Sequence, residues 1–180
     1  MTTTMTWFAR AVFAVSVCCA LAACDTVKGV FGKNPEASGI TGLEARVSPM
    51  NGSAATGSVR FVSRTEGSTM LVQISGLAPG SYRVVVHATG NCSSPNGFSA
   101  GPPWSPEGST TPLSDRMPVI STNSAGTATM TVRLPEVPLQ ALLGKSVVLH
   151  DSINGPFTAE PGTRNDRIAC GVLGPMHTVF

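Results

Sequence analysis

The stretch Gly76-Leu-Ala-Pro-Gly80, followed by Ser81 and the run Tyr82-Arg-Val-Val-Val-His87, decides the fold class. Glycine and proline at both ends of the first segment mark a tight turn. The run after it is β-branched and aromatic and too short for a stable helix, so it reads as a strand. The same grammar repeats outward in both directions from residue 40. Strands are expected near Leu43 to Ser48, Thr56 to Ser63, Met70 to Ser75, Tyr82 to His87, Val119 to Thr122, Thr127 to Leu134, Ser146 to His150 and Arg167 to Val172. Asn123-Ser-Ala-Gly126 supplies a second corner. No long stretch carries an apolar repeat at helical spacing, so the chain is read as all-β, with eight strands forming a sandwich or flattened barrel. Between Pro135 and Pro138 on one side and Gly144 on the other, Leu139 to Leu143 has room for one helical turn. Two segments, Ala88 to Pro118 and Asp151 to Asp166, are long loops, which in a compact domain tend to carry function or disorder.

The N-terminus reads as an export leader over residues 1–23. Met1 to Thr6 is polar, Arg10 is the one cation, and an apolar run from Ala11 leads to Leu21-Ala22-Ala23-Cys24. The apolar part is too short to span a bilayer. Small residues before a cysteine resemble a bacterial lipobox, which implies cleavage before Cys24 and its lipidation. Several acyl chains on one residue hold a protein to a membrane, because each buried methylene contributes about 0.8 kcal/mol. Residues 24–39 then form a lipidated cysteine and tether, with Val27, Val30 and Phe31 among polar residues, and 40–180 is the domain. The expected place is the bacterial cell envelope, at the periplasmic side of the inner or outer membrane.

Five cysteines and three histidines bound the chemistry. With Cys18 and Cys19 in the leader and Cys24 lipidated, Cys92 and Cys170 remain, and an oxidising compartment favours their pairing over a free thiol. Closing so long a loop removes denatured-state entropy worth on the order of 4 kcal/mol. Twelve Lys and Arg against ten Asp and Glu give +2. Without Arg10 the balance is 11 against 10, or +1, which leaves no nucleic-acid footprint. There is no nucleophile elbow, C-x-x-C pair, H-E-x-x-H helix or phosphate loop.

Four blocks in order resemble the copper/zinc superoxide dismutase family. Gly76-Leu-Ala-Pro-Gly80, Tyr82-Arg-Val-Val-Val-His87 and Gly90-Asn-Cys92 are similar to G-L-x-P-G, H-G-F-H-x-H and G-D-C. Ser99-Ala-Gly-Pro-Pro-Trp104 is similar to S-A-G-P-H-F, and Gly126 to Val132 with Ser146 to His150 is similar to the strands leading to the last copper histidine. Arg167-Ile-Ala-Cys-Gly-Val172 matches R-x-A-C-G-V. The resemblance implies a superoxide dismutase-like Greek-key barrel and a Cys92–Cys170 disulfide. It also implies that His87 and His150 match two copper ligands, that Asp115 matches the zinc aspartate, and that Arg167 matches the arginine that draws superoxide to copper.

The departures weigh as much as the matches. The family's site needs six histidines, and this chain has three: His87, His150 and His177. Val85 stands at the first position of the H-x-H pair and Pro103 at the bridging histidine. Residues 85 and 87 share one strand face, so half of that chelate is replaced by methyl groups. One aspartate does not make a tetrahedral zinc site. Copper is the remaining candidate cofactor, held by two imidazoles with Met117, Met176 or His177 as added ligands if the fold brings them near. The reading is therefore an anchored lipoprotein with a degenerate metal centre, acting through an envelope protein or small ligand rather than as a dismutase. Its rivals are a divergent copper-only dismutase and a copper-binding or copper-delivering lipoprotein.

Overall fold

The computed structural model describes residues 40–151 and 166–176. The leader, Cys24 and its tether, most of the second long loop, and His177 lie outside the described residues. Among the described residues nine strands are present: β1 Gly42–Pro49, β2 Thr56–Ser63, β3 Ser68–Ser75, β4 Ser81–His87, β5 Ile120–Ser121, β6 Ala128–Leu134, β7 Ser146–His150, β8 Arg167–Val172 and β9 Gly174–Pro175. One helical turn, α1 Leu139–Leu142, falls in the stretch expected for it. Among the described residues no helix is long and apolar enough to cross a membrane.

The strands follow the order β5-β4-β7-β8-β1-β2-β3-β6, with β9 on β1, and the named pairings are antiparallel. The two ends of that order, β5 and β6, are consecutive in the chain. The Asn123–Gly126 turn joins them through Asn123 N–H donating to Thr127 O at 2.9 Å. A flattened, nearly closed barrel results, in which β7 and β8 return to lie between β4 and β1. That return is the Greek-key connection.

Period-two alternation fills the interior. Leu43, Ala45 and Val47 of β1, Val59 and Phe61 of β2, Met70, Val72 and Ile74 of β3, Val84 and Val86 of β4, and Val147 and Leu149 of β7 form one core. Burying each large aliphatic or aromatic chain is worth about 1.5–3 kcal/mol relative to exposure. The alternate residues of β4 and β7, Val85, His87, Val148 and His150, point to the outer face instead, yet all four are buried. A second, small apolar cluster of Ala100, Val148 and Cys170, with Met50 and Cys92 against it, lies there. The loop after β4 is what covers this face.

Two glycines are demanded by their surroundings. Gly76, in the turn before β4, has φ +74°, and a Cβ there would lie 2.1 Å from Ala54 O. Tyr82 fixes the same turn by donating its hydroxyl to Ala78 O at 2.8 Å. Gly171 lets β8 approach β1, since a Cβ at 171 would fall 2.4 Å from Arg46 O. Backbone cannot yield there as a flexible side chain would. Gly171→Ala is therefore expected to destabilise the domain by about 2–3 kcal/mol, read as a lower urea midpoint with unchanged slope.

A candidate metal centre with two buried histidines

Cover over the outer face of β4 and β7 is built by backbone pairing and two clamps. Ala88 N–H donates to Pro102 O at 2.9 Å, Thr89 N–H to Ala100 O at 2.9 Å, and Trp104 N–H to Val86 O at 2.8 Å, so residues 100–104 run back along the end of β4. The Cys92–Cys170 disulfide, 78 residues apart in sequence, ties the loop to β8. Arg167 is the second clamp: its guanidinium donates to Gly97 O at 2.6 Å and lies 4.9 Å from the Phe98 ring centre. Trp104 packs on the core with the Lys145 ammonium 5.1 Å from its ring centre.

Beneath this cover the histidines meet. Val85 faces Val148 in the β4–β7 register, with His87 and His150 at opposite ends of that pair. The rings lean together over the valines, nearly parallel at 9°, with Nε2 of His87 3.2 Å from Nε2 of His150. Each Nδ1 is committed outward. His87 Nδ1 lies 2.7 Å from Gly101 O, and His150 Nδ1 lies 3.1 Å from Asp166 Oδ2. A carbonyl and a carboxylate only accept, so both Nδ1 atoms are assigned as N–H donors. In their neutral forms both Nε2 atoms then present lone pairs to one another. Two acceptors at 3.2 Å repel, so this arrangement calls for one positive charge between them, a proton or a metal ion.

The electrostatics fit that assignment. Burial pushes the His87 pKa down to about 3; the Gly101 carbonyl works against this, and the charges of His150 and Arg167 reinforce it. Burial raises the Asp166 carboxyl, but its hydrogen bond and charge interaction with His150 outweigh that and its pKa is lowered. Asp166 was not among the residues singled out from sequence. It reaches His150 because the β7–β8 register shifts at Leu149/His150 and Asp151 N–H donates to Asp166 O at 2.9 Å.

The other sequence candidates do not join the pair. Pro103 forms an isolated β-bridge with His87 through the backbone, and its side chain has no donor atom. Asp115 is exposed on a 3₁₀ turn, Leu113–Arg116, where Ser114 donates to it at 3.2 Å. Met117 packs in the interior core, and Met176 is 39% exposed beside Gly42. Among the described residues no three of His, Cys, Asp and Glu come together as a metal-ion group. A zinc site of the tetrahedral kind does not fit this donor set. For copper the pair offers two nitrogens. A linear two-coordinate ion with bonds of about 2 Å would hold them about 4 Å apart, whereas 3.2 Å is a hydrogen-bond distance.

The pH dependence has a definite sign. Unfolded, His87 takes up a proton near its ordinary value of 6.5, whereas folded it resists until about 3. Its contribution is thus intact above pH 6.5 and is lost as pH falls toward 3, by up to about 1.4 kcal/mol per pH unit. Asp166, lowered in the fold, adds a loss of the same sign at the acid end. Urea unfolding at pH 7 and pH 5 is expected to show the drop, and His87→Asn to flatten it.

Comparison with known proteins agrees with this architecture. The family described as copper/zinc superoxide dismutase (SODC) matches residues 55–173. The protein named copper/zinc superoxide dismutase 2 of Brassica juncea is 28% identical over 135 residues, covering 66% of this chain and 88% of that protein. With a match spanning β2 to the end of β8 and the Cys92–Cys170 bridge in place, the chain belongs to the copper/zinc superoxide dismutase family.

Proposed function

We propose that this protein is a lipid-anchored lipoprotein of the bacterial envelope whose dismutase-family domain has a degenerate metal centre and serves a binding or structural role. The leader supports the anchoring through Leu21-Ala22-Ala23-Cys24. One observation carries the loss of dismutation. Beside His87, where the loop backbone bridges to β4, the residue is Pro103, and two positions earlier on the same strand face it is Val85. Bound copper would supply one-electron redox chemistry, which needs a fixed, open site through both oxidation states. Two imidazoles buried beneath a loop, with no third ligand among the described residues, are a poor basis for that. Arg167, spent on Gly97 O and Phe98, has a structural task that requires no anion steering.

A second reading rests on the converging Nε2 atoms. Buried, neutral imidazoles whose other nitrogens are fixed by a carbonyl and a carboxylate suit copper(I), which accepts few ligands. That reading makes the protein a copper carrier rather than an enzyme.

The test is copper and zinc content together with superoxide consumption, on the full chain purified with its disulfide and exposed to both metals. The expected result is no zinc and no turnover. Copper retained without turnover, and lost in His87→Ala, selects the carrier. Fast superoxide consumption that disappears in His87→Ala contradicts both readings. Val85→His combined with Pro103→His is expected to raise copper retention well above that of the parent chain.

A further inference from the structure

The chain enters the domain at Ile40 and starts β1 at Gly42. Met176 returns to the same place: its N–H donates to Gly42 O at 3.0 Å, and a Cβ on Gly42 would fall 2.6 Å from the Met176 sulfur. Backbone bonds bring a third segment to this end of the barrel. Gly144 N–H donates to Leu173 O at 3.1 Å and Leu173 N–H to Lys145 O at 2.8 Å, so the turn after α1 lies against the end of β8. Gly90 keeps them close, since a Cβ there would lie 2.1 Å from Gly144 O and 3.2 Å from the Val172 side chain.

Three apolar side chains in these segments face water. Leu143 is 40% exposed, Val172 43% and Met176 39%, and they make up half of the six exposed large hydrophobics among the described residues. Single exposed apolar residues are ordinary, whereas a group at one end marks a contact surface. The charge there has one sign. Residues 139–146 and 172–176 hold Lys145 and no acid. Glu44, opposite Gly174 in the β1–β9 pairing, is bonded by Arg60 at 2.9 Å and lies 3.6 Å from Arg46. Lys145, Arg46 and Arg60 against Glu44 leave +2, which suits an anionic surface.

Where the anchor joins the domain says what covers this end. Residues 24–39, sixteen in all, separate Cys24 from Ile40. Even fully extended they reach at most about 56 Å. The lipid on Cys24 therefore keeps the Ile40 end at the bilayer, at an effective concentration on the order of 1 mM, so a weak contact suffices. We propose that this end of the barrel docks on the anionic bilayer surface, with Leu143, Val172 and Met176 in the interfacial layer. This rests on the anchoring reading above. Since Ser146 pairs with Val172 and His150 with Arg167, docking turns the His150 and Asp166 end of β7 and β8 away from the lipid and toward the aqueous envelope space.

The test uses the full chain in its acylated form, in phosphatidylglycerol vesicles that contain a dansyl-headgroup lipid. Trp7 leaves with the leader, so Trp104, beside Lys145, is the donor whose energy transfer reports docking. Leu143→Ser and Val172→Ser are each expected to lower the docked-to-free ratio about three- to fivefold. Val119→Ser, next to β5, is expected to leave it unchanged. Mass spectrometry of the N-terminal peptide and flotation with the vesicles read the anchoring separately. An acylated chain that floats while its transfer ignores Leu143→Ser and Val172→Ser overturns the docking alone. An unacylated chain that stays in solution overturns docking and anchoring together. A dimer in detergent that the same two variants dissociate overturns the docking by giving the patch to a second copy. Melting curves report whether each variant is folded, and Met176→Ser carries the test if either of the others is not.

Discussion

A histidine on the outside of a barrel strand is wet unless something is tied down over it, and the tie between the loop after β4 and β8 is the constraint on which this site depends. Period-two alternation sends Val84 and Val86 inward and so sends Val85 and His87 out. Cys92–Cys170 and the Arg167 contact with Gly97 O hold the loop across that outer face. The loop then delivers the Gly101 carbonyl to His87 and closes a small apolar cluster over Val148. Remove the tie, and His87 regains water, its ordinary basicity and its freedom to turn.

With the lid in place, hydrogen-bond polarity dictates the rest. Gly101 O and the Asp166 carboxylate each claim an Nδ1 proton, and the two Nε2 atoms are left facing at 3.2 Å. One shared positive charge reconciles them, with the Asp166 carboxylate to balance it. The buried pair stands at a hydrogen-bond spacing, which matches a proton. Val85, buried on the same strand face as His87, and Pro103, bridged to His87 through the backbone, bring no side-chain donor to the pair.

Most of the barrel was legible in the sequence because its strands are short β-branched runs between glycine, proline and asparagine turns. Strand β9 was not, since Gly174–Pro175 is two residues long and shows no alternation. Strand β5 shrank to Ile120–Ser121, the part that pairs with β4. The disulfide could be reached twice, from cysteine counting and from the family resemblance. Asp166 was hidden because its role comes from a register shift that no local pattern announces. The bond to the His150 ring comes from Asp166, across the β7–β8 pair. Met117 reads equally well as a ligand or as core, and only packing distinguishes them.

Both imidazoles donate through Nδ1 and converge through Nε2. Long-range ¹H–¹⁵N NMR of the histidine side chains at pH 7 addresses this directly. Protonated Nδ1 atoms are expected on His87 and His150, with His87 Nε2 showing the shift of an acceptor nitrogen that carries no proton of its own. A His87 ring protonated on Nε2 with a bare Nδ1, or one carrying both protons, would contradict this arrangement.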